Sequence, residues 1–163
     1  MPARCYWLVK SEPSVFSFDD LLAAPQQTTC WNGVRNHQAR NYMRDGMQVG
    51  DLVLFYHSNA EPPGVAGICR VVRAAYPDET AFDARDEYYD AKSDPAAPTW
   101  VMVDVQAVAP ARHFVSLEAL RAMPELVGLE LLRRGSRLSV MPVSAEHFAV
   151  ICRAAGIRAR DAR

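Results

Sequence analysis

The 163-residue sequence lacks several features that would assign it to common protein classes. No apolar run approaches the roughly 20 residues that a membrane-spanning helix needs, so we expect no membrane partner. The opening segment MPARCYWLVK has no apolar signal-peptide core, and we expect no secretory leader. No GxGxxG motif follows a predicted strand, which disfavours a doubly wound parallel sheet that binds a dinucleotide.

Metal-ligand spacings are also missing. Cys5, Cys30, Cys69 and Cys152 form no CxxC pair, and each lies in an apolar context. This pattern predicts buried, reduced thiols of a cytosolic protein rather than disulfides. The four histidines do not have the spacing of a zinc site either. We therefore expect neither a metal nor a cofactor.

Charge is distributed unevenly along the chain, although the formal net charge is only -1. Residues 31–44, WNGVRNHQARNYMR, contain three arginines and no acid. Residues 78–94 contain seven acids against Arg85 and Lys92. This asymmetry fits an electropositive cleft with a separate acidic flank, although ordinary solvated faces would give the same pattern.

Hydrophobic periodicity and turn residues predict a mixed α+β domain. Ser17 and Ser144 are expected to cap helices, and Gly67 indicates a bulge or a close backbone approach. A mainly antiparallel barrel with helices laid over its openings fits this order of elements better than a parallel sheet. The predicted strands are 5–10, 28–31, 50–58, 65–76, 98–110 and 136–144; the predicted helices are 18–24, 36–44, 116–123 and 145–155; and 78–94 is a loop.

Polar residues end several predicted strands, and strand ends that converge would place these residues at one mouth of a barrel. Trp31 would offer a stacking face to a flat heterocycle there, while Ser11, Asn36 and Ser139 would hydrogen-bond its edge. A flipped nucleobase is recognised in this way. The strand ends concerned are Lys10–Glu12, Tyr56–Ser58 and Ser139 near Arg137, with Trp31 and Arg35–Asn36 at the lip.

Arginines would supply the affinity of such a site. Stacking contributes roughly 1–3 kcal/mol per base, and extruding a base costs a few kcal/mol, so the two nearly cancel. Arg35, Arg40 and Arg44 are then the expected phosphate contacts, helped by the free amides of a helix that starts near Asn36. Structural interpretations stay open at this point, with Trp31 as a core residue and the arginines as helix surface.

Seven ordered blocks make the pattern more specific, because together they resemble the EVE domain family from about Cys5 to Gly156. The resemblance implies a single domain over 1–163 of the α+β class, with a PUA-like bent, mainly antiparallel β-barrel and surrounding short α-helices, akin to PUA, ASCH and YTH domains. The blocks are YWLVKSEP, WNGVRNHQARNYMR, GDLVLFYHSN, PPGVAGICRVVRAAYPD, YYDAKS, PTWVMVDV and RLSVMPVS.

The resemblance also implies a function: non-enzymatic recognition of a modified nucleobase, with modified cytosine in DNA the leading candidate and RNA the alternative. The implied phosphate contacts are Gln38, Arg40, Arg44 and Arg137. The implied nucleobase contacts are Lys10, Ser11, Trp31, Val34, Arg35, Asn36, Tyr56, His57, Ser58, Leu138 and Ser139.

Two departures from the family pattern stand out. His37 occupies a position where the family often has tyrosine. Eukaryotic members tend to carry a basic N-terminal extension that this chain lacks, which predicts a bacterial cytoplasmic protein. We also expect a monomer.

Two other functions remain open on the sequence alone. A small amidohydrolase acting on a modified nucleoside, by analogy with ASCH domains, would use Lys10 with Glu12, or His57 as a base. Ser11 is expected to face away from Lys10 and Glu12, which disfavours this set. The acidic segment 78–94 would instead serve a protein-interaction module.

Overall fold

The computed structural model describes residues 4–162, so residues 1–3 and 163 of the predicted domain lie outside the described part. No helix in this part of the chain is long and apolar enough to cross a membrane. The strands are β1 (Tyr6–Ser11), β2 (Thr28–Cys30), β3 (Leu52–His57), β4 (Gly64–Pro77), β5 (Val101–Ser116) and β6 (Val140–Val143); the α-helices are α1 (Phe18–Ala23), α2 (His37–Asn41), α3 (Leu117–Arg121) and α4 (Ala145–Ala154).

The strands form one mixed sheet in the order β2-β5-β4-β3-β1-β6. Only the β1–β3 ladder is parallel, and the other four are antiparallel, which confirms the α+β class and the mainly antiparallel pairing. The barrel is open, because no ladder in the described chain joins β2 to β6. Both edge strands are short, and Pro142 in β6 has no N–H to donate to a neighbour.

The core is centred on β3, which has β4 on one side and β1 on the other. Its residues Leu52–Tyr56 are all buried. An uninterrupted apolar run of this kind is typical of a strand covered on both faces. Burial of Leu52–Tyr56 fixes the position of His57 at the end of β3 and of Ser58 directly after it.

Helix starts agree with the expected capping residues. Ser17 and Asp20 form a reciprocal capping box on α1, and Ser144 accepts a hydrogen bond from the His147 N–H at the start of α4. The predicted helix 36–44 is shorter, because α2 ends at Asn41 and Tyr42–Gly46 form a π-helical turn.

The cysteines correct one expectation. None of the four forms a disulfide within residues 4–162, and Cys69 and Cys152 are buried, but Cys5 and Cys30 are exposed. Cys30 ends the short edge strand β2 and Cys5 precedes β1, so neither lies in the middle of the sheet. Within residues 4–162, no three His, Cys, Asp or Glu side chains are grouped as metal ligands.

Gly67 lies at a close approach, as its position in the strand pattern predicted. The β4–β5 register shifts between Val65 and Gly67, and the Phe18 ring packs directly on Gly67. A Cβ on Gly67 would lie 2.5 Å from Cζ of Phe18. The absence of a side chain at Gly67 therefore allows α1 to pack on the sheet.

Gly67→Ala should lower the free energy of unfolding by about 1–3 kcal/mol, because the added methyl group overpacks a closed contact. Urea unfolding measures the change. If the Phe18 ring is the obstacle, the same substitution should cost less in a Phe18→Leu background. Equal costs in the two backgrounds would show that another contact is responsible.

Candidate functional site

A cleft of about 820 Å³ opens where β1 and β3 end. The parallel register places Ser11 opposite His57, and the Ser58 N–H donates to the Ser11 carbonyl at 2.9 Å. The Lys10 N–H donates to the Ser139 carbonyl, also at 2.9 Å. The ends of β1 and β3 and the segment before β6 therefore meet at one opening.

The structure brings six of the predicted nucleobase contacts to this cleft, namely Lys10, Ser11, Trp31, Val34, Ser58 and Ser139. Ser11 lines it together with Lys10 and Glu12, and the Ser11 hydroxyl donates to the Phe16 carbonyl at 2.6 Å. The remaining predicted contacts do not line the cleft: Arg35, Asn36, Tyr56, His57 and Leu138.

Trp31 belongs to both the core and the cleft. Its exposed fraction is 8%, and its ring packs edge-to-face on Phe55 with centroids 5.3 Å apart. The Trp31 main-chain N–H donates to the Val103 carbonyl at 2.7 Å. Part of the same residue lines the opening. The stacking and core interpretations of Trp31 are therefore compatible.

The acidic segment 78–94 supplies a wall of the cleft through Arg85–Tyr88. The expected separation between a basic cleft and an acidic flank is therefore wrong. Glu12 joins Asp86 and Glu87 in the lining, against the cations Lys10 and Arg85. Sequence reasoning missed Tyr88, the aromatic residue of this wall, because only tertiary contacts place it opposite the strand ends.

Arg35 holds this wall in place. One Nη1–H donates to the Val34 carbonyl at 3.0 Å and another to Asp78 Oδ2 at 2.9 Å. Nη2 donates to Thr80 Oγ1 at 3.1 Å and to the Tyr88 carbonyl at 2.7 Å, and the Nε–H also reaches that carbonyl, at 3.0 Å. All five guanidinium N–H groups are thus committed, and none is left for a ligand.

Asp78 is the acidic partner of Arg35, and its exposed fraction is 0%. We call this pair the Arg35–Asp78 clasp. Besides Arg35, the Asp78 carboxylate accepts hydrogen bonds from the Gly33 N–H at 2.8 Å and the Thr80 N–H at 2.9 Å. Burial alone would raise the pKa of Asp78, but hydrogen bonds from Thr80, Gly33 and Arg35 outweigh burial and leave the pKa lowered. Asp78 therefore ties the Trp31–Val34 segment to the acidic wall.

Gly33 provides a second contact between the Trp31–Val34 segment and the acidic wall, in addition to the hydrogen bond from its N–H to Asp78. Its φ is +80°, and the Tyr88 ring lies so close that a Cβ at this position would be 2.6 Å from Cζ of Tyr88. The Asn32–Gly33 pair thus lets the chain turn beneath an aromatic ring. The position of Tyr88 relative to Trp31 depends on this contact and on the clasp.

Most of the predicted phosphate contacts are engaged within the protein. Arg44 pairs with Asp45 at 2.8 Å. Arg40 donates to the Thr99 carbonyl at 2.6 Å, and Gln38 donates to the Tyr42 hydroxyl at 3.3 Å. Arg137 differs, because it is exposed and has no hydrogen bond or ion pair with any residue in the range 4–162.

Asn36 and His57 serve local structure. The Asn36 side chain caps α2 by accepting from the Ala39 N–H at 2.9 Å. His57 Nε2 accepts a hydrogen bond from the Phe18 N–H at 3.1 Å, so this nitrogen is unprotonated. Burial lowers the pKa of His57, and the charge of Asp19 opposes the change.

Lys10 is the cation at the base of the cleft. Burial lowers the pKa of the Lys10 ammonium group, and the Glu130 carboxylate partly opposes this effect. Lys10 and Glu130 are brought together by segments far apart in sequence. Because the Lys10 ammonium group is partly buried, it is less hydrated than that of a surface lysine. The weaker hydration strengthens its interaction with an anion or a polar ligand.

Asp78→Asn should lower the free energy of unfolding by about 3 kcal/mol, because it leaves the Arg35 charge without its buried partner. The matched control is Asp83→Asn, which breaks the exposed Arg85–Asp83 pair and should cost less than about 1 kcal/mol. Urea unfolding of both variants measures the difference. Similar losses in the two variants would contradict a special role for Asp78.

Acid should destabilise the His57 contact. Because the pKa of His57 is lower in the folded protein than in the unfolded chain, the unfolded chain binds the proton first as the pH falls below about 6.5. The free energy of unfolding should then decrease relative to His57→Gln, which keeps an acceptor but does not titrate. Urea midpoints at pH 7.5 and 5.5 measure this, and a parallel response of both proteins would contradict it.

The family model for the EVE domain matches residues 5–154. Thymocyte nuclear protein 1 of Rattus norvegicus is 43% identical over 160 residues, which cover 88% of this chain and 70% of that protein. The family-model match therefore extends through every strand and α-helix described above.

Solved structures agree in fold. A hypothetical protein from Leishmania major has a TM-score of 0.89 and 49% identity, covering 94% of this chain and 96% of that one. The human THYN1 protein, solved in complex with DNA containing 5-methylcytosine, has a TM-score of 0.88 and 40% identity, covering 94% and 99%. The PUA-like architecture expected from the sequence is thus confirmed.

The likeness to ASCH proteins is more distant. The ZmASCH protein of Zymomonas mobilis has a TM-score of 0.57 at 9% identity, covering 92% of this chain and 98% of that one. Such a match shows a shared fold alone. It lends no support to the amidohydrolase that the sequence left open.

Proposed function

Since this chain belongs to the EVE domain family, we propose that it is a non-enzymatic reader that binds 5-methylcytosine, or a closely related modified cytosine, in DNA. The observation that carries the proposal is the open cleft beside Trp31, in a protein 40% identical to one solved with 5-methylcytosine DNA. The modified base would enter this cleft after flipping out of the duplex.

The cleft offers aromatic surface to the ring of the base. Trp31 and Tyr88 both line it, and they belong to the two segments that the Arg35–Asp78 clasp holds together. Stacking on such side chains contributes roughly 1–3 kcal/mol per base. The proposed stacking partners are therefore Trp31, with its ring held by Phe55, and Tyr88.

Hydrogen-bond acceptors in the lining favour a base with an amino group. Cytosine presents its N4 amino group as a donor, and Asp or Glu carboxylates accept from it. Glu12 and Glu87 line the cleft, although one Glu12 oxygen already accepts from Asn59 at 2.7 Å. Lys10 and Ser139 also line the cleft, and their side chains are proposed as further polar contacts to the base.

The phosphate backbone would be held weakly. Lys10 and Arg85 in the cleft and the exposed Arg137 are the cations proposed to contact phosphate, although Arg85 also pairs with Asp83 at 3.3 Å. Asp86 and Glu87 in the lining repel phosphate. Few phosphate contacts give modest affinity that declines with added salt. A buried methyl group adds about 0.8 kcal/mol, or roughly fourfold in affinity, so discrimination between methylated and plain cytosine is modest.

The side-chain contacts in and beside the cleft also favour binding over catalysis. The Ser11 hydroxyl donates to the Phe16 carbonyl at 2.6 Å, and the Nε2 lone pair of His57 is used by the Phe18 N–H. Neither group is paired as a nucleophile with a base. RNA as a second ligand, a monomeric state and a cytoplasmic location remain predictions.

Trp31→Leu should weaken binding of a 5-methylcytosine oligonucleotide by roughly 5- to 150-fold, since the stacking contribution of about 1–3 kcal/mol is removed. Trp7→Leu is the matched control, because Trp7 is also buried but does not line the cleft. Fluorescence anisotropy at low salt measures affinity, and circular dichroism confirms that both variants are folded.

The proposal is wrong if folded Trp31→Leu binds as well as the parent. Tyr88→Leu provides a second, independent test, because Tyr88 is half-buried and its loss disturbs the core less. Equal affinity for methylated DNA in all four proteins would exclude a role for this cleft.

A further inference from the structure

A second cavity, of about 460 Å³, lies at the opposite end of β1 from the cleft. Tyr6 begins the strand and lines the second cavity, whereas Ser11 ends it and lines the cleft. Six strand residues span about 17 Å at roughly 3.3 Å per step. The two cavities are therefore separate sites, and the second one has no part in the proposed binding of a base.

The floor of the second cavity is apolar. The Tyr6 and Phe148 rings pack against each other with centroids 4.5 Å apart, and Leu52 and Ile157 are buried beside them. Besides three arginines, the lining residues offer polar side-chain atoms only in the Tyr6 hydroxyl and the Cys152 thiol. Such a floor suits an aliphatic or aromatic body and provides little to hydrogen-bond the edge of a base.

The rim is cationic. Arg4, Arg153 and Arg158 line the cavity, and none of its lining residues is acidic. Arg4 donates to the Ala162 carbonyl at 3.2 Å. Arg153 and Arg158 are exposed, and in the range 4–162 their guanidinium groups have no hydrogen bond or ion pair; Asp161 accepts only from the Arg158 main-chain N–H.

We propose that this cavity binds a small amphipathic carboxylate from solution. The carboxylate pairs with Arg153 and Arg158, whose planar donor groups match its two oxygens. The apolar body lies on Tyr6 and Phe148. At about 30 Å³ per water-sized group, the cavity holds up to about fifteen non-hydrogen atoms, which is enough for a chain of eight to ten carbons.

Octanoate is a suitable probe, with 1-octanol as its uncharged counterpart. Titrating ¹⁵N-labelled protein with octanoate should give saturable shifts of the Phe148, Cys152 and Ile157 amide signals. The apparent dissociation constant should be at least about tenfold higher for 1-octanol, and for Arg153→Glu/Arg158→Glu. The control Arg134→Glu/Arg160→Glu makes the same charge change at exposed residues outside the cavity and should bind octanoate as the parent does.

Several results would overturn the proposal. These are the absence of saturable shifts at millimolar octanoate, equal affinity for 1-octanol, or unchanged binding by the Arg153→Glu/Arg158→Glu variant. Displacement of octanoate by a 5-methylcytosine oligonucleotide would instead make the cavity part of the nucleic-acid surface. Binding to anionic lipid vesicles but not to free octanoate would make it a membrane contact.

Discussion

The buried Arg35–Asp78 pair is the interaction on which the candidate site depends. Asp78 holds the Gly33 amide and Arg35, while Arg35 holds the Tyr88 carbonyl, so the pair joins two segments separated by more than forty residues. A buried carboxylate is stable as an ion only when its oxygens are hydrogen-bonded, and Asp78 meets that condition. Together with the contact between Gly33 and the Tyr88 ring, this pair fixes the position of Tyr88 relative to Trp31.

This arrangement explains why a neutral chain concentrates arginines near Trp31. Arg35 stabilises the cleft from behind, Arg40 packs on Trp100, and Arg44 pairs with Asp45. Basic residues in such a motif are easily taken for phosphate contacts, but here these three arginines make most of their polar contacts within the protein. The net charge that remains at the cleft is small, which is consistent with a weak binder that depends on the shape of its ligand.

Local features could be predicted from the sequence, whereas contacts between distant segments could not. The Ser17 and Ser144 caps and the close approach at Gly67 depend on neighbouring residues and on backbone sterics. The exposure of Cys30 depends on β2 being an edge strand, and the wall formed by Tyr88 depends on Arg35 reaching across to it. The family pattern selected residues in and around the cleft, but it did not distinguish residues that line the cleft from residues that support it.

The central claim is that a methylated cytosine leaves the duplex and lies against Trp31. The most direct measurement is an intermolecular nuclear Overhauser effect between the 5-methyl protons of the base and the indole ring, in a complex with a duplex containing one 5-methylcytosine. We expect contacts to Trp31 and Tyr88, together with loss of the imino signal of the opposing guanine. A retained imino signal, with contacts only to residues outside the cleft, would contradict base flipping into this site.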